Sequence, residues 1–364
     1  MMNQAEAEGD TTPGLSPSIV IVRERCTHYR HAASTCSRCS SACPVGAIKL
    51  SENYPVLSPM DCTACGACAA VCSMDAIALQ TPTDRALAAD IAVTASRCGT
   101  VTLACKQAAN VSPKNLFLSC LARLDPSLLL QAPANGALEI RMFTNDCGRC
   151  PAGNMSPHLH TIKTKAEEVA MALGIPLRIS VDISASDVDF SRRAWLTKLL
   201  GKGNGLEGTI TIATTFRDAA SDHGETAVLP PEKRRRFVAS LRSLAERGEG
   251  TFSNSTALFP SPELDADRCV GCALCADFCP TGALAFENDA GMLRITYNTA
   301  ACTACGLCVD VCYRQAIAFY PAGDIGSILA PEPLILIERR ENNDLLSSCE
   351  DKISALLGTQ VYRT

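Results

Sequence analysis

Residues 269–312 open with Cys269-Val-Gly-Cys272-Ala-Leu-Cys275-Ala-Asp-Phe-Cys279-Pro280 and close with Cys302-Thr-Ala-Cys305-Gly-Leu-Cys308-Val-Asp-Val-Cys312. Each run is C-x2-C-x2-C-x3-C. Thiolate is a soft anionic ligand, and two-residue spacers let three sulfurs of one tight loop converge on one cuboidal iron–sulfur cluster. The fourth cysteine is carried away by a helical turn and ligates the neighbouring cluster. A unit this small has little apolar core, so its clusters should supply much of its folding energy. Zinc also takes paired C-x2-C units, but four cysteines in one run with proline after the last fit a zinc ribbon poorly.

Working outward, residues 19–81 carry a second copy. Ile19–Val22 reads as a short strand leading to Cys26, then Cys36, Cys39 and Cys43-Pro44; the partner run is Cys62, Cys65, Cys68 and Cys72. Ala47–Leu50 and Tyr54–Leu57 fit a hairpin turning at residues 51–53, and Ala283–Phe286 with Met292–Tyr297 fit its counterpart, turning at Asn288–Gly291.

These two stretches resemble bacterial 2[4Fe-4S] ferredoxins, which implies α+β units with pseudo-twofold symmetry and crossed ligation. Carried onto this sequence, the resemblance implies four [4Fe-4S] clusters. The first takes Cys26, Cys36, Cys39 and Cys72, and the second Cys62, Cys65, Cys68 and Cys43. The third takes Cys269, Cys272, Cys275 and Cys312, and the fourth Cys302, Cys305, Cys308 and Cys279. Two departures stand out. An insertion with His28, Tyr29, Arg30 and His31 separates Cys26 from Cys36, and Ser73 and Tyr313 replace the proline that commonly follows the last cysteine.

Residues 82–184 change rhythm. Thr83 is placed to cap a helix running to about Ala95 and closed by Gly99. Strands are expected at Thr100–Cys105, Asn115–Cys120, Ala137–Phe143 and Pro176–Ile183, with helices at Pro126–Ala132 and Pro157–Leu173. That alternation predicts a parallel sheet of the α/β type. Cys105 and Cys120 fall at the carboxyl ends of two strands, and Cys147 and Cys150 follow a third, the edge where open parallel sheets bind ligands. Iron–sulfur, zinc and unmetallated thiols all stay open for these four. The stretch Ser119-Cys-Leu-Ala-Arg-Leu-Asp-Pro126 with Cys147-Gly-Arg-Cys150 and Ala152-Gly-Asn154 resembles the delta subunit of methyl-viologen-reducing hydrogenases. That resemblance implies a [2Fe-2S] cluster and electron delivery between a hydrogenase and heterodisulfide reductase. Here the last pair is x2 where that family usually has x3, and the first lacks an adjacent cysteine pair.

The predicted organisation is therefore an α+β chain. Residues 1–18 form a disordered tail, 19–81 and 261–322 two ferredoxin-type units, and 82–184 a central α/β parallel-sheet domain. Residues 185–260 form a helical linker region and 323–364 a C-terminal strand and helix, from Asn343 to Leu357. In the linker, Ser191-Arg-Arg-Ala-Trp195-Leu196 resembles a twin-arginine export signal, but its depth in the chain and Lys198, Gly201 and Lys202 favour a packed amphipathic helix. Pro230–Arg247 reads as a helix with Phe237, Leu241 and Leu244 on one face. Lys233–Arg236 are expected to be solvated there, or to form a docking patch for an acidic redox partner. Cys98 and Cys349 read as packed thiols, and the five histidines as solvated, with His158 and His160 near enough to Cys150 to support that site.

The chain has 22 cysteines in 364 residues and a formal charge of −5. Four [4Fe-4S] cores with their thiolates would add about −2 each, which together with a single tryptophan argues against a nucleic-acid partner. Without a signal peptide or an apolar run near the roughly 18 residues of a span, the sequence predicts a cytoplasmic protein with no membrane span. There is no phosphate-binding G-x4-G-K-[ST] loop and no G-x-G-x-x-G between strand and helix. The expected function is one-electron relay between redox partners such as a hydrogenase, a molybdenum or tungsten formate dehydrogenase, or a heterodisulfide-type reductase. A maturation accessory protein and a redox sensor are the alternatives.

Overall fold

The computed structural model describes residues 19–51, 54–108, 111–112, 115–183, 229–248, 255–256, 261–320 and 323–340. The tail, the Trp195 segment, His223 and the helix expected at Asn343–Leu357 with Cys349 lie outside these residues. Among the described residues, no helix is long and apolar enough to cross a membrane.

In the N-terminal unit, β1 (Ile19–Ile21) pairs antiparallel with β4 (Ile77–Leu79), and β2 (Ile48–Leu50) with β3 (Pro55–Leu57). Short helices α1 (Thr27–Arg30), α2 (Arg38–Ser41) and α3 (Ala67–Val71) lie between these strands. The later cysteine region repeats the plan. There β9 (Ser261–Leu264) pairs with β12 (Ile317–Tyr320), and β10 (Leu284–Asp289) with β11 (Met292–Tyr297). The hairpin turns tightly on Ala290 and Gly291, at φ +48° and +79°; two successive positive φ values match the right-handed twist of the strands. β13 (Leu334–Arg340), beyond the cysteine runs, adds a third antiparallel strand to this hairpin.

The middle of the chain is the expected parallel sheet. Thr83 caps α4 (Asp84–Cys98), its hydroxyl accepting the Ala86 N–H at 3.2 Å, and Gly99 ends the helix at φ +65°. The helix runs one turn further than expected, and Cys98 is exposed rather than packed because it falls on the solvent side of that turn. Strands β5 (Thr100–Cys105), β6 (Leu116–Leu118), β7 (Glu139–Thr144) and β8 (Arg178–Ile183) lie in the order β6-β5-β7-β8, all parallel. The helix expected at Pro126–Ala132 is two, α5 (Pro126–Leu129) and α6 (Gln131–Ala134). Pro133 has no N–H for the Leu129 carbonyl, which breaks the run. Leu87, Ile91, Leu103, Ile140 and Met142 share one buried core with Leu159, Ile162 and Ala166 of α7 (Ser156–Ala172).

Helix α8 (Glu232–Ala245) buries Phe237, Leu241 and Leu244 against Leu130, Leu173 and Ile328. Its basic run is not the expected solvated face or docking patch. Arg235 is exposed, but Lys233, Arg234 and Arg236 turn to the N-terminal, C-terminal and middle units respectively. The helix sits where the three units meet, so these long side chains reach carbonyls and a carboxylate instead of water.

Candidate metal centres

Twenty of the cysteines gather into five sets of four, each lining one cavity. Cys26, Cys36, Cys39 and Cys72 line the first, and Cys43, Cys62, Cys65 and Cys68 the second. Cys269, Cys272, Cys275 and Cys312 line the third, and Cys279, Cys302, Cys305 and Cys308 the fourth. In every one of these sets, three cysteines come from one run and one from its partner. Cys105, Cys120, Cys147 and Cys150 line a fifth cavity of about 180 Å³ with Thr144, Asp146 and Met155. It opens at the carboxyl ends of β5 and β7, the edge the sequence indicated.

A local device missed in the sequence recurs at the fourth cysteine of each run. Three residues on, Gly46, Asp75, Gly282 and Gln315 all adopt positive φ, between 50° and 66°. The next residue is always a buried alanine: Ala47, Ala76, Ala283 or Ala316. The turn aims the alanine N–H back at the sulfur, at 3.2 Å for Ala47 to Cys43, 3.3 Å for Ala76 to Cys72 and 3.2 Å for Ala316 to Cys312. Cys279 is met by the Thr281 hydroxyl at 3.7 Å. The signal was legible as C-x3-A-[IL] four times over, with β2, β4, β10 and β12 each starting on the aliphatic residue. Further N–H donors reach Cys62 from Ala64, Cys302 from Ala304 and Cys120 from Ala122, at 3.3–3.4 Å.

Such donors stabilise sulfur that carries negative charge. The thiols themselves resist ionisation. Burial first, then repulsion from neighbouring sulfurs, pushes Cys39, Cys68 and Cys275 up to about 12. Cys120 is likewise pushed to about 12 by burial, with Cys65 of the second set adding to the rise. A crowd of buried sulfurs supplied with N–H donors fits a group that brings compensating positive charge. That is the chemistry of metal–thiolate binding.

Packing and polar contacts fix the stretch Ser119–Pro126. Leu121, Ala122 and Leu124 are buried beside Cys120. Arg123 donates to Asp84 and to the Pro82 carbonyl, each at 2.8 Å. Asp125 caps the Ser127 N–H at 2.8 Å and pairs with Arg236.

The insertion after Cys26 forms α1 and leaves Cys26 in its set. His28 Nε2 donates to the Cys36 carbonyl at 2.5 Å, and His31 is buried edge-on against Phe278 at 4.6 Å. Neither is solvated, because the insertion packs between the two dicluster regions. His158 also turns inward, and burial holds its imidazole below the ordinary range. Only His160 is exposed among the described histidines.

The sets stand in a definite order. Thr63 lines both the fifth and the second cavity, and Cys65 packs in one cluster with Cys120, Ala122 and Met155. Cys305 of the fourth set lines the first cavity as well as its own. With the partners of each unit side by side, the succession is fifth, second, first, fourth, third. The middle domain of the sequence stands at one end and the N-terminal unit in between, because packing of Gly66 and Met155, not chain order, selects the neighbour.

Comparison with known proteins agrees with the framework. Residues 34–76 and 261–313 each match a 4Fe-4S dicluster domain. Over 45 residues the chain is 44% identical to a subunit of the ion-translocating oxidoreductase complex of Methanosarcina acetivorans, covering 12% of this chain and 17% of that protein. The match thus spans about a sixth of that relative's length. No solved structure matches. The chain carries two 4Fe-4S dicluster domains, and iron–sulfur electron transfer is the function they support.

Proposed function

We propose that the protein is an electron-relay subunit of an oxidoreductase complex in a reducing cytoplasm, with five iron–sulfur centres. Residues 19–81 and 261–322 form the two ferredoxin-type units that hold four [4Fe-4S] clusters, each on one of the four cysteine sets named above. Cys105, Cys120, Cys147 and Cys150 of the 82–184 domain hold a [2Fe-2S] cluster. When bound, each cluster supplies a site that accepts and releases one electron. The chain's own residues hold the sulfurs, donate N–H bonds to them and exclude water.

The observation that carries the reading is the succession of five four-thiol cavities, in which the fifth and second share Thr63 and the first and fourth share Cys305 as lining residues. It suits transport from one end of the molecule to the other. For the fifth set, iron–sulfur is favoured over zinc because Cys120 packs with Cys65 of the second set in one cluster, which places this site directly beside a dicluster site. A binuclear cluster spreads its thiolates over two irons. The partners at the ends are the substrate-bearing subunits of a hydrogenase, a molybdenum or tungsten formate dehydrogenase, or a heterodisulfide-type reductase.

Iron and acid-labile sulfide analysis of anaerobically prepared protein tests this, together with EPR after dithionite reduction. About eighteen irons per chain are expected, about sixteen in cubanes and two in the fifth site. Fewer than about eight would defeat the reading, since not even one dicluster unit, with its two four-iron clusters, would then be filled.

A further inference from the structure

Lys233 and Arg234 are neighbours in sequence, yet they bind different dicluster units. From the first turn of α8, the Lys233 ammonium donates to the carbonyls of Ala69 at 2.6 Å, Ala70 at 3.1 Å and Cys72 at 3.0 Å. Its backbone N–H donates to the Asp75 carboxylate at 3.0 Å. These carbonyls belong to the end of α3 and the residue after it, where intrahelical partners run out. Arg234 takes the other side. Its Nε donates to the Ala300 carbonyl at 3.0 Å and its Nη2 to the Thr299 carbonyl at 2.6 Å, just ahead of Cys302. Helix α8 is itself anchored to the middle unit by Arg236 on Asp125 and by its buried apolar face.

The two dicluster units also touch directly at this place. The Thr35 N–H and hydroxyl both donate to the Asp310 carboxylate at 2.9 Å, and Arg38 donates to the Ala304 carbonyl at 2.5 Å. The Thr303 hydroxyl meets the Met74 sulfur at 3.2 Å. Here Cys305 of the fourth set also lines the first cavity. The Thr35 and Arg38 contacts are exposed to solvent, where hydrogen bonds and ion pairs contribute little. The enclosed contacts of Lys233 and Arg234 are of the stronger kind.

We propose that Lys233 and Arg234 are positioning residues that clamp the two dicluster units together and give a positive charge to the cysteine set on each side. The proposal rests on the cluster-binding reading above. It makes α8 the element that turns two separate ferredoxin-type units into one conduit. A cation beside a set favours its more negative, reduced state, so each residue also raises the reduction potential on its own side.

The test uses the full-length holoprotein with Lys233→Met, Arg234→Met, the double variant, and Arg235→Met as an exposed control. Amide hydrogen exchange at residues 27–38 and 299–311 should become about tenfold faster in the double variant, the scale expected for loss of a charge-assisted hydrogen bond. EPR-monitored titration should show one centre lowered in potential in each single variant. Lys233→Arg should restore both properties, and Arg235→Met should change neither. Unchanged exchange and potentials in a double variant of full iron content would overturn the clamp. Should the methionine variants lose iron, Arg234→Lys decides: it keeps the charge but not the two-carbonyl fork. Its potential should hold while exchange at 299–311 rises; no rise overturns the clamp. Failure of the cluster reading looks different, since it appears as a low iron count in the unsubstituted protein.

Discussion

Cys65 and Cys120 share one buried cluster with Ala67, Ala122 and Met155, although one belongs to the N-terminal dicluster unit and the other to the parallel-sheet domain. The contact joins the fifth cysteine set to the second. Replacing Cys120 by serine removes one thiolate of the fifth set and leaves the four sets of the dicluster units complete. Iron analysis should show a loss of about two irons per chain, with the [4Fe-4S] EPR signals retained. An unchanged iron count would show that the fifth set holds no iron.

Gly66 makes this contact close. It sits at φ +80°, and a Cβ added there would lie 2.6 Å from the Arg123 Cβ and 2.9 Å from the Leu79 Cδ1. Gly66→Ala should therefore cost about 1–2 kcal/mol in backbone strain and about 1–3 kcal/mol in overpacking. Denaturant unfolding under anaerobic conditions reads the loss. Full stability in the variant would mean that the N-terminal and middle units do not pack this tightly.

His158 gives the middle domain an acid sensitivity. Burial lowers its pKa from the ordinary 6.5, and the backbone of Leu124 and Ala122 only partly offsets this. Because the folded value is depressed, the contribution to stability is complete above pH 6.5 and is lost as pH falls through the lower folded value. His158→Gln should flatten that part of the stability profile, measured by thermal unfolding between neutral and mildly acidic pH. Equal acid loss in the two proteins would assign the effect to other groups.

Leu241 is fully buried where α8 meets α6, α7 and α9 (Ile325–Leu329). Leu241→Ala should destabilise the protein by about 2–5 kcal/mol through lost transfer energy and an unfilled cavity. Thermal unfolding of the holoprotein measures it. A loss below about 1 kcal/mol would mean the site collapses around the smaller side chain.

Not every feature of the site was equally legible. The C-x2-C spacing, the two hairpins and the strand–helix alternation could be read because each depends on residues close in sequence. The helical period likewise placed Phe237, Leu241 and Leu244 on the buried face of α8. The same stretch misplaced Lys233, Arg234 and Arg236, since four basic residues look alike whether they meet water or a carbonyl-lined cleft. His28 and His31 were misread for the same reason. Their partners, Cys36 and Phe278, become visible only when the insertion packs between two units.

The sequence by itself determined that three sulfurs of each C-x2-C-x2-C run converge, because ligand spacing within a loop follows from bond lengths and allowed dihedrals; the pairing of the fourth cysteine with the partner run was implied by the resemblance to bacterial ferredoxins. The sequence also determined the parallel sheet, through the alternation of strand and helix, and with it the edge where Cys105, Cys120, Cys147 and Cys150 meet. Only the tertiary structure decided that the middle domain stands at one end of the series, beside the second set, with the first and fourth sets adjoining through Cys305. That order depends on burial and close approach between residues far apart in the chain, such as Gly66 with Arg123 and Lys233 with Cys72. Chain order carries no information about such contacts.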